Sequence, residues 1–136
     1  MKRRILAATL VLLFPLGMAA CGSQSKAAAC HEIDNAAASA STQAQKNGQT
    51  TSKDPKVLRD RMADLTSTYK KASKKVTNKK VKPAFNNLIA DLEKFRDLAD
   101  KDSSDVSTED FQVLQDISTH GQELNDICGF KWDSGK

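Results

Sequence analysis

Apolar residues along this 136-residue chain form one dense run and four spaced stripes. The run, Ile5 to Leu16, follows Lys2, Arg3 and Arg4 and ends at Gly17-Met18-Ala19-Ala20-Cys21. Each stripe advances by three and four residues in turn, the repeat of a helix with one buried face. The first holds Cys30, Ile33, Ala37, Ala40 and Ala44, and Asn47-Gly48 supplies the left-handed residue that ends it. The second holds Leu58, Met62, Leu65, Tyr69, Ala72 and Val76 behind Asp54-Pro55, an N-cap with proline at the first helical position.

Pro83 cannot sit deep inside a helix, so a tight connection is expected near Thr77 to Lys80. A third stripe then runs through Val81, Phe85, Leu88, Leu92, Phe95 and Ala99, widened by Ile89 and Leu98, to about Asp100. Ser107-Thr108-Glu109-Asp110 has the form of a capping box with Asp in place of Glu. It opens a fourth stripe of Leu114, Ile117, Gly121, Leu124 and Cys128, flanked by Phe111, Val113 and Ile127, which stops at Gly129.

Four such stripes joined by short loops, with no strand pattern among them, predict an all-α, antiparallel up-down-up-down four-helix bundle over residues 27–130. An even number of helices brings the start of the first and the end of the fourth to one end, where Cys30 and Cys128 can pair. With three helices they would lie about 30 Å apart. Taking that pair as register, Ile33 is expected opposite Leu124, Ala37 opposite Gly121, Ala40 opposite Ile117 and Ala44 opposite Leu114. Close approach of the first helix would explain Gly121, which costs about 1 kcal/mol of helix propensity.

The basic start, apolar stretch and small residues of positions 1–20 form a signal peptide, too short for a spanning helix of roughly 20 apolar residues. Met18-Ala19-Ala20-Cys21 resembles the lipobox of bacterial lipoproteins, with Met18 where Leu is usual. That resemblance implies transfer of diacylglycerol to Cys21, followed by cleavage in front of it. Residues 21–26 are then a short tether to the outer face of the cytoplasmic membrane, and 131–136 a C-terminal tail. Export to an oxidising compartment makes a Cys30–Cys128 disulfide the expected state. In the chain-entropy picture, closing a loop of about 100 residues contributes up to about 4.7 kcal/mol.

Loss of the leader leaves eighteen basic against seventeen acidic residues, so overall charge names no partner. Its distribution does more. Lys53 to Lys82 carries eleven Lys or Arg against three acids, and Asp91 to Asp126 carries eleven acids against three bases. Helix parity puts the connection between the second and third helices at the tether end, with Lys70, Lys71, Lys74, Lys75, Lys79, Lys80 and Lys82. These are expected to meet anionic lipid, an anionic envelope polymer or an envelope protein, each Lys near an anionic membrane contributing about 1 kcal/mol. A lysine run at a helix C-terminus is also favoured by the helix dipole alone. Phe130, Lys131 and Trp132 fall at the same end, and Asp100, Asp102, Asp105, Glu109 and Asp110 at the opposite one.

His31 and His120, with Asp34 and Glu123 three residues on, supply the alternative of a metal- or small-ligand-binding bundle. Their positions relative to the two cysteines put them roughly 10 Å apart along the axis, beyond one metal ion. Cys30 and His31 point about 100° apart on a helix and form no dyad. The acidic loop lacks the EF-hand pattern, having Asp105 where Gly is required and Phe111 where the bidentate Glu belongs. No nucleophile elbow or glycine-rich phosphate loop occurs, and the lysine cluster lacks the interleaved aromatics of a nucleic-acid groove. The expectation is a non-enzymatic lipoprotein without cofactor or nucleic-acid partner, acting through its surface.

Overall fold

The computed structural model describes residues 22–48, 54–99, 101, 105 and 107–130. The expectations for the leader, Cys21, Asp100, Asp102, Lys131, Trp132 and the tail lie outside the described residues. Within them the chain forms α1 (Lys26–Lys46), α2 (Pro55–Lys75), α3 (Val81–Leu98) and α4 (Thr108–Cys128), with no strand.

Local chemistry sets the ends of these helices. Ser25 Oγ accepts from the Ala28 N–H at the start of α1, and Asp54 accepts from the Lys56 N–H ahead of Pro55 in α2. The capping box of α4 is complete: the Ser107 hydroxyl accepts from the Asp110 N–H, and the Asp110 carboxylate accepts from the Ser107 N–H at 2.7 Å. Gly129 closes α4 at φ 68°, in the left-handed region where a side chain is disfavoured.

Successive helices pack as neighbours, α1 on α2, α2 on α3 and α3 on α4. The four-helix bundle is closed at one end by the Cys30–Cys128 disulfide, whose Cα atoms lie 5.5 Å apart across 98 residues of sequence. Its core lies toward that end, where Ile33, Val76, Val81, Phe85 and Leu124 are fully buried. Tyr69 packs on Phe85 with ring centroids 5.2 Å apart. Burial of Tyr69 raises its phenol above the ordinary 10.0.

Away from the disulfide, α1 and α4 part company. A Cβ placed on Gly121 would meet nothing within 4 Å, so this glycine does not serve a close approach to Ala37. Leu114, expected opposite Ala44, is 48% exposed, and Phe111 is 60% exposed. Ile33 and Leu124 share the buried cluster beside the disulfide, whereas the expected pairings Ala37–Gly121 and Ala44–Leu114 fail. The cause is area: Ala37, Ala40 and Ala44 each offer one methyl group, whereas α3 offers Phe85, Leu88 and Leu92. With the larger apolar surface on α3, α4 packs chiefly there.

Candidate functional site

The segment before α1 is tied to the α2–α3 connection by three hydrogen bonds. Gln24 N–H donates to Thr77 Oγ1 at 3.0 Å, Thr77 N–H donates to Gln24 Oε1 at 3.2 Å, and the Asn78 side-chain amide donates to the Gln24 carbonyl at 2.9 Å. Asn78 also opens α3, its Oδ1 accepting from the backbone N–H groups of Lys80 and Val81 at 3.0 and 3.1 Å. One asparagine thus starts a helix and holds the N-terminal segment beside it. The sequence shows Thr77 and Asn78 as a polar connection, but a pairing across 54 residues has no local signature.

This junction gathers the expected basic residues. Lys70, Lys71, Lys74 and Lys75 occupy the last turns of α2, Lys79 and Lys80 the connection, and Lys82 the first turn of α3. Lys70 pairs with Glu93, and Lys75 lies 3.8 Å from Glu32. Among the described residues Lys71, Lys74, Lys79, Lys80 and Lys82 have no ion-pair partner, and all but Lys82, which is half-buried, are exposed. Phe130 packs against the core at this end, beyond the disulfide. The arrangement is a positive surface around the point where the N-terminal segment meets the bundle, able to neutralise closely spaced anionic groups.

The two histidines have separate environments. His31 is exposed and bonded to Asn35 at 3.1 Å. His120 Nδ1–H donates at 2.5 Å to Asp91 Oδ2, a carboxylate only 2% exposed, and Lys94 Nζ donates to Asp91 Oδ1 at 3.2 Å. The acids three residues on, Asp34 and Glu123, are therefore not the partners: the carboxylate facing His120 comes from α3. Sequence spacing concealed it because Asp91 sits between the seam positions Leu88 and Leu92 and reads as a flank of the stripe. With its carboxylate held by an imidazole and an ammonium, Asp91 is a satisfied buried acid joining α3 to α4. Among the described residues no group of three His, Cys, Asp or Glu side chains is placed to hold a metal ion.

Two surface recesses lie between α1 and α2. One of about 170 Å³ lies between Ala37, Ala40 and Ala44 of α1 and Met62 and Leu65 of α2, with Arg61 and Asp64 at its rim. Another, about 220 Å³, lies between α1 and α2 and includes Glu32, Lys71 and Lys75. Among the described residues no hydroxyl lining either recess hydrogen-bonds to a carboxylate or amine of that lining. No described helix is long and apolar enough to cross a membrane. The chain matches no protein-family model, and no curated protein or solved structure is similar to it.

Proposed function

We propose that this protein is an exported, non-enzymatic lipoprotein, acylated on Cys21 and seated with its lysine end against an anionic membrane surface. The observation that carries the proposal is the Gln24 junction with Thr77 and Asn78. Gln24 follows Cys21 by three positions, so chain length keeps an acylated cysteine within about 11 Å of that junction. Lys79 and Lys80 follow the junction directly, and the other cluster lysines lie within a turn or two of it.

A diacylglycerol group brings two acyl chains, enough for stable anchoring, and a basic patch beside it adds attraction to anionic headgroups. The basic end supplies that attraction at the place where the lipid is attached. Anchoring at one pole leaves the acidic ends of α3 and α4 directed outward, as the interaction surface of a rigid module. Anionic lipid is favoured over an envelope polymer as the primary contact because the tether delivers the lysines to the bilayer itself.

Fatty-acid labelling of the full chain in bacterial cells tests the anchor. Label is expected on the wild type, recovered with membranes, and absent from Cys21→Ser. Label that persists in C21S overturns the assignment, as does an unlabelled wild type.

A further inference from the structure

Two hydroxyls facing the larger recess between α1 and α2 are left without partners. Thr42 and Thr66 return their hydroxyls to the carbonyls of Ala38 and Met62, the common bond of such residues inside a helix. Among the described residues Ser39 of α1 and Thr68 of α2 make no such bond and have no other partner. Both line the recess of about 220 Å³, whose buried lining residues are Ala36 and Ala72. Smaller than the roughly 300–1,000 Å³ of a drug-sized ligand site, it suits a fragment the size of a lipid headgroup.

Charge narrows the ligand. The same lining carries Lys71, Lys75 and Glu32. Lys75 approaches Glu32 only to 3.8 Å and Lys71 has no ion-pair partner among the described residues, so the recess holds one positive charge in excess. A phosphodiester of a neutral alcohol carries a single negative charge and matches that excess. A phosphoethanolamine diester is neutral overall, and a phosphomonoester brings about two negative charges. Glu32 only accepts hydrogen bonds, while the hydroxyls of Ser39 and Thr68 donate and accept, a set that pairs with the hydroxyls of a polyol. We infer that the α1–α2 recess binds a glycerol phosphodiester, the headgroup of phosphatidylglycerol, with Lys71 and Lys75 on the phosphate and Ser39, Thr68 and Glu32 on the glycerol hydroxyls. Lys75 ends α2, so the recess begins at the pole set against the membrane; the inference rests on that reading for the source of the headgroup and not for its chemistry.

The test titrates the leaderless, disulfide-bonded chain carrying C21S with glycerophosphoglycerol and follows its amide resonances in solution. Shifts are expected at Glu32, Ser39, Thr68 and Lys71, with binding about tenfold or more tighter than that of inorganic phosphate or glycerophosphoethanolamine. S39A/T68V and K71Q alter exposed or half-buried side chains and keep the melting temperature. Each is expected to weaken binding about fivefold or more. No shift at these residues, equal affinity for the three ligands, or unchanged affinity in either variant overturns the inference. A second arm assigns the source, using vesicles with equal fractions of phosphatidylglycerol or phosphatidylserine and so the same charge. Wild type is expected to prefer phosphatidylglycerol, and S39A/T68V to bind the two alike. Equal partition of the wild type overturns the lipid assignment and leaves the membrane reading of the lysines intact. Failure to bind either vesicle, with glycerophosphoglycerol still bound, supports the recess and removes the membrane reading.

Discussion

The Asn78 side-chain amide donates to the Gln24 carbonyl at 2.9 Å, fastening the N-terminal segment to the loop that joins α2 and α3. This bond holds that segment at the pole of the bundle where α2 meets α3. The same asparagine accepts the first N–H groups of α3, so the orientation of the segment and the start of a helix share one residue.

Asn78→Ala removes both functions. Loss of a helix cap costs about 0.5–2 kcal/mol, and the freed Gln24 carbonyl turns to water at the exposed end. Urea unfolding of N78A should give a lower midpoint with an unchanged slope. A midpoint equal to wild type would show that the cap does not contribute.

The disulfide closes nearly the whole domain, so its contribution through the unfolded chain is large, up to about 4.7 kcal/mol for a loop of about 100 residues. Cys30→Ser/Cys128→Ser should unfold at clearly lower temperature than the oxidised wild type, and reduction of the wild type should reproduce the loss. Equal melting temperatures would contradict it.

Asp91 and His120 join α3 to α4 through a buried contact. His120→Leu leaves the carboxylate with Lys94 alone, and an under-paired buried group costs about 1–3 kcal/mol. Replacing both partners, as Asp91→Leu/His120→Leu, should recover part of that loss, because no stranded polar group remains. A double-mutant cycle with strictly additive single effects would mean the two side chains are energetically unconnected.

Asp110 gives the bundle a pH dependence of known sign. The Ser107 N–H and then the Lys101 ammonium hold its carboxyl below the ordinary 3.8. Its folded value is below its unfolded value, so the native state binds the proton less readily. Its contribution is fully present above the unfolded value and is lost as pH falls through the folded value. Stability measured from pH 6 downward should therefore decline below about pH 4 by more in the wild type than in Asp110→Asn. Parallel profiles would contradict this.

Helix positions were legible because each depends on neighbours in sequence. Asp54-Pro55, the Ser107–Asp110 box and Gly129 act within one turn, and all three mark real helix ends. Helix parity followed from the count, and the paired cysteines agree with it. What the stripes do not encode is which neighbour buries them. Leu114 and Gly121 share a stripe with Leu124, yet only Leu124 is fully buried, because the competition between α1 and α3 is decided by side-chain volumes on other helices. Of the candidate site, the lysine cluster was readable as a composition shift. Its junction with Gln24 was not, since hydrogen bonds between loops follow from tertiary geometry, and Asp91 was hidden for the same reason.

Partition of the disulfide-bonded, leaderless domain onto vesicles tests the orientation most directly. Binding is predicted to phosphatidylglycerol-containing vesicles at low salt, absent on pure phosphatidylcholine and reversed by salt. Changing Lys71, Lys74, Lys79, Lys80 and Lys82 together to Gln should weaken it at least about tenfold, while changing Lys46, Lys94 and Lys101 leaves it near wild type. Equal binding to neutral vesicles, or no difference between the two lysine variants, would contradict the placement of the positive pole against the membrane.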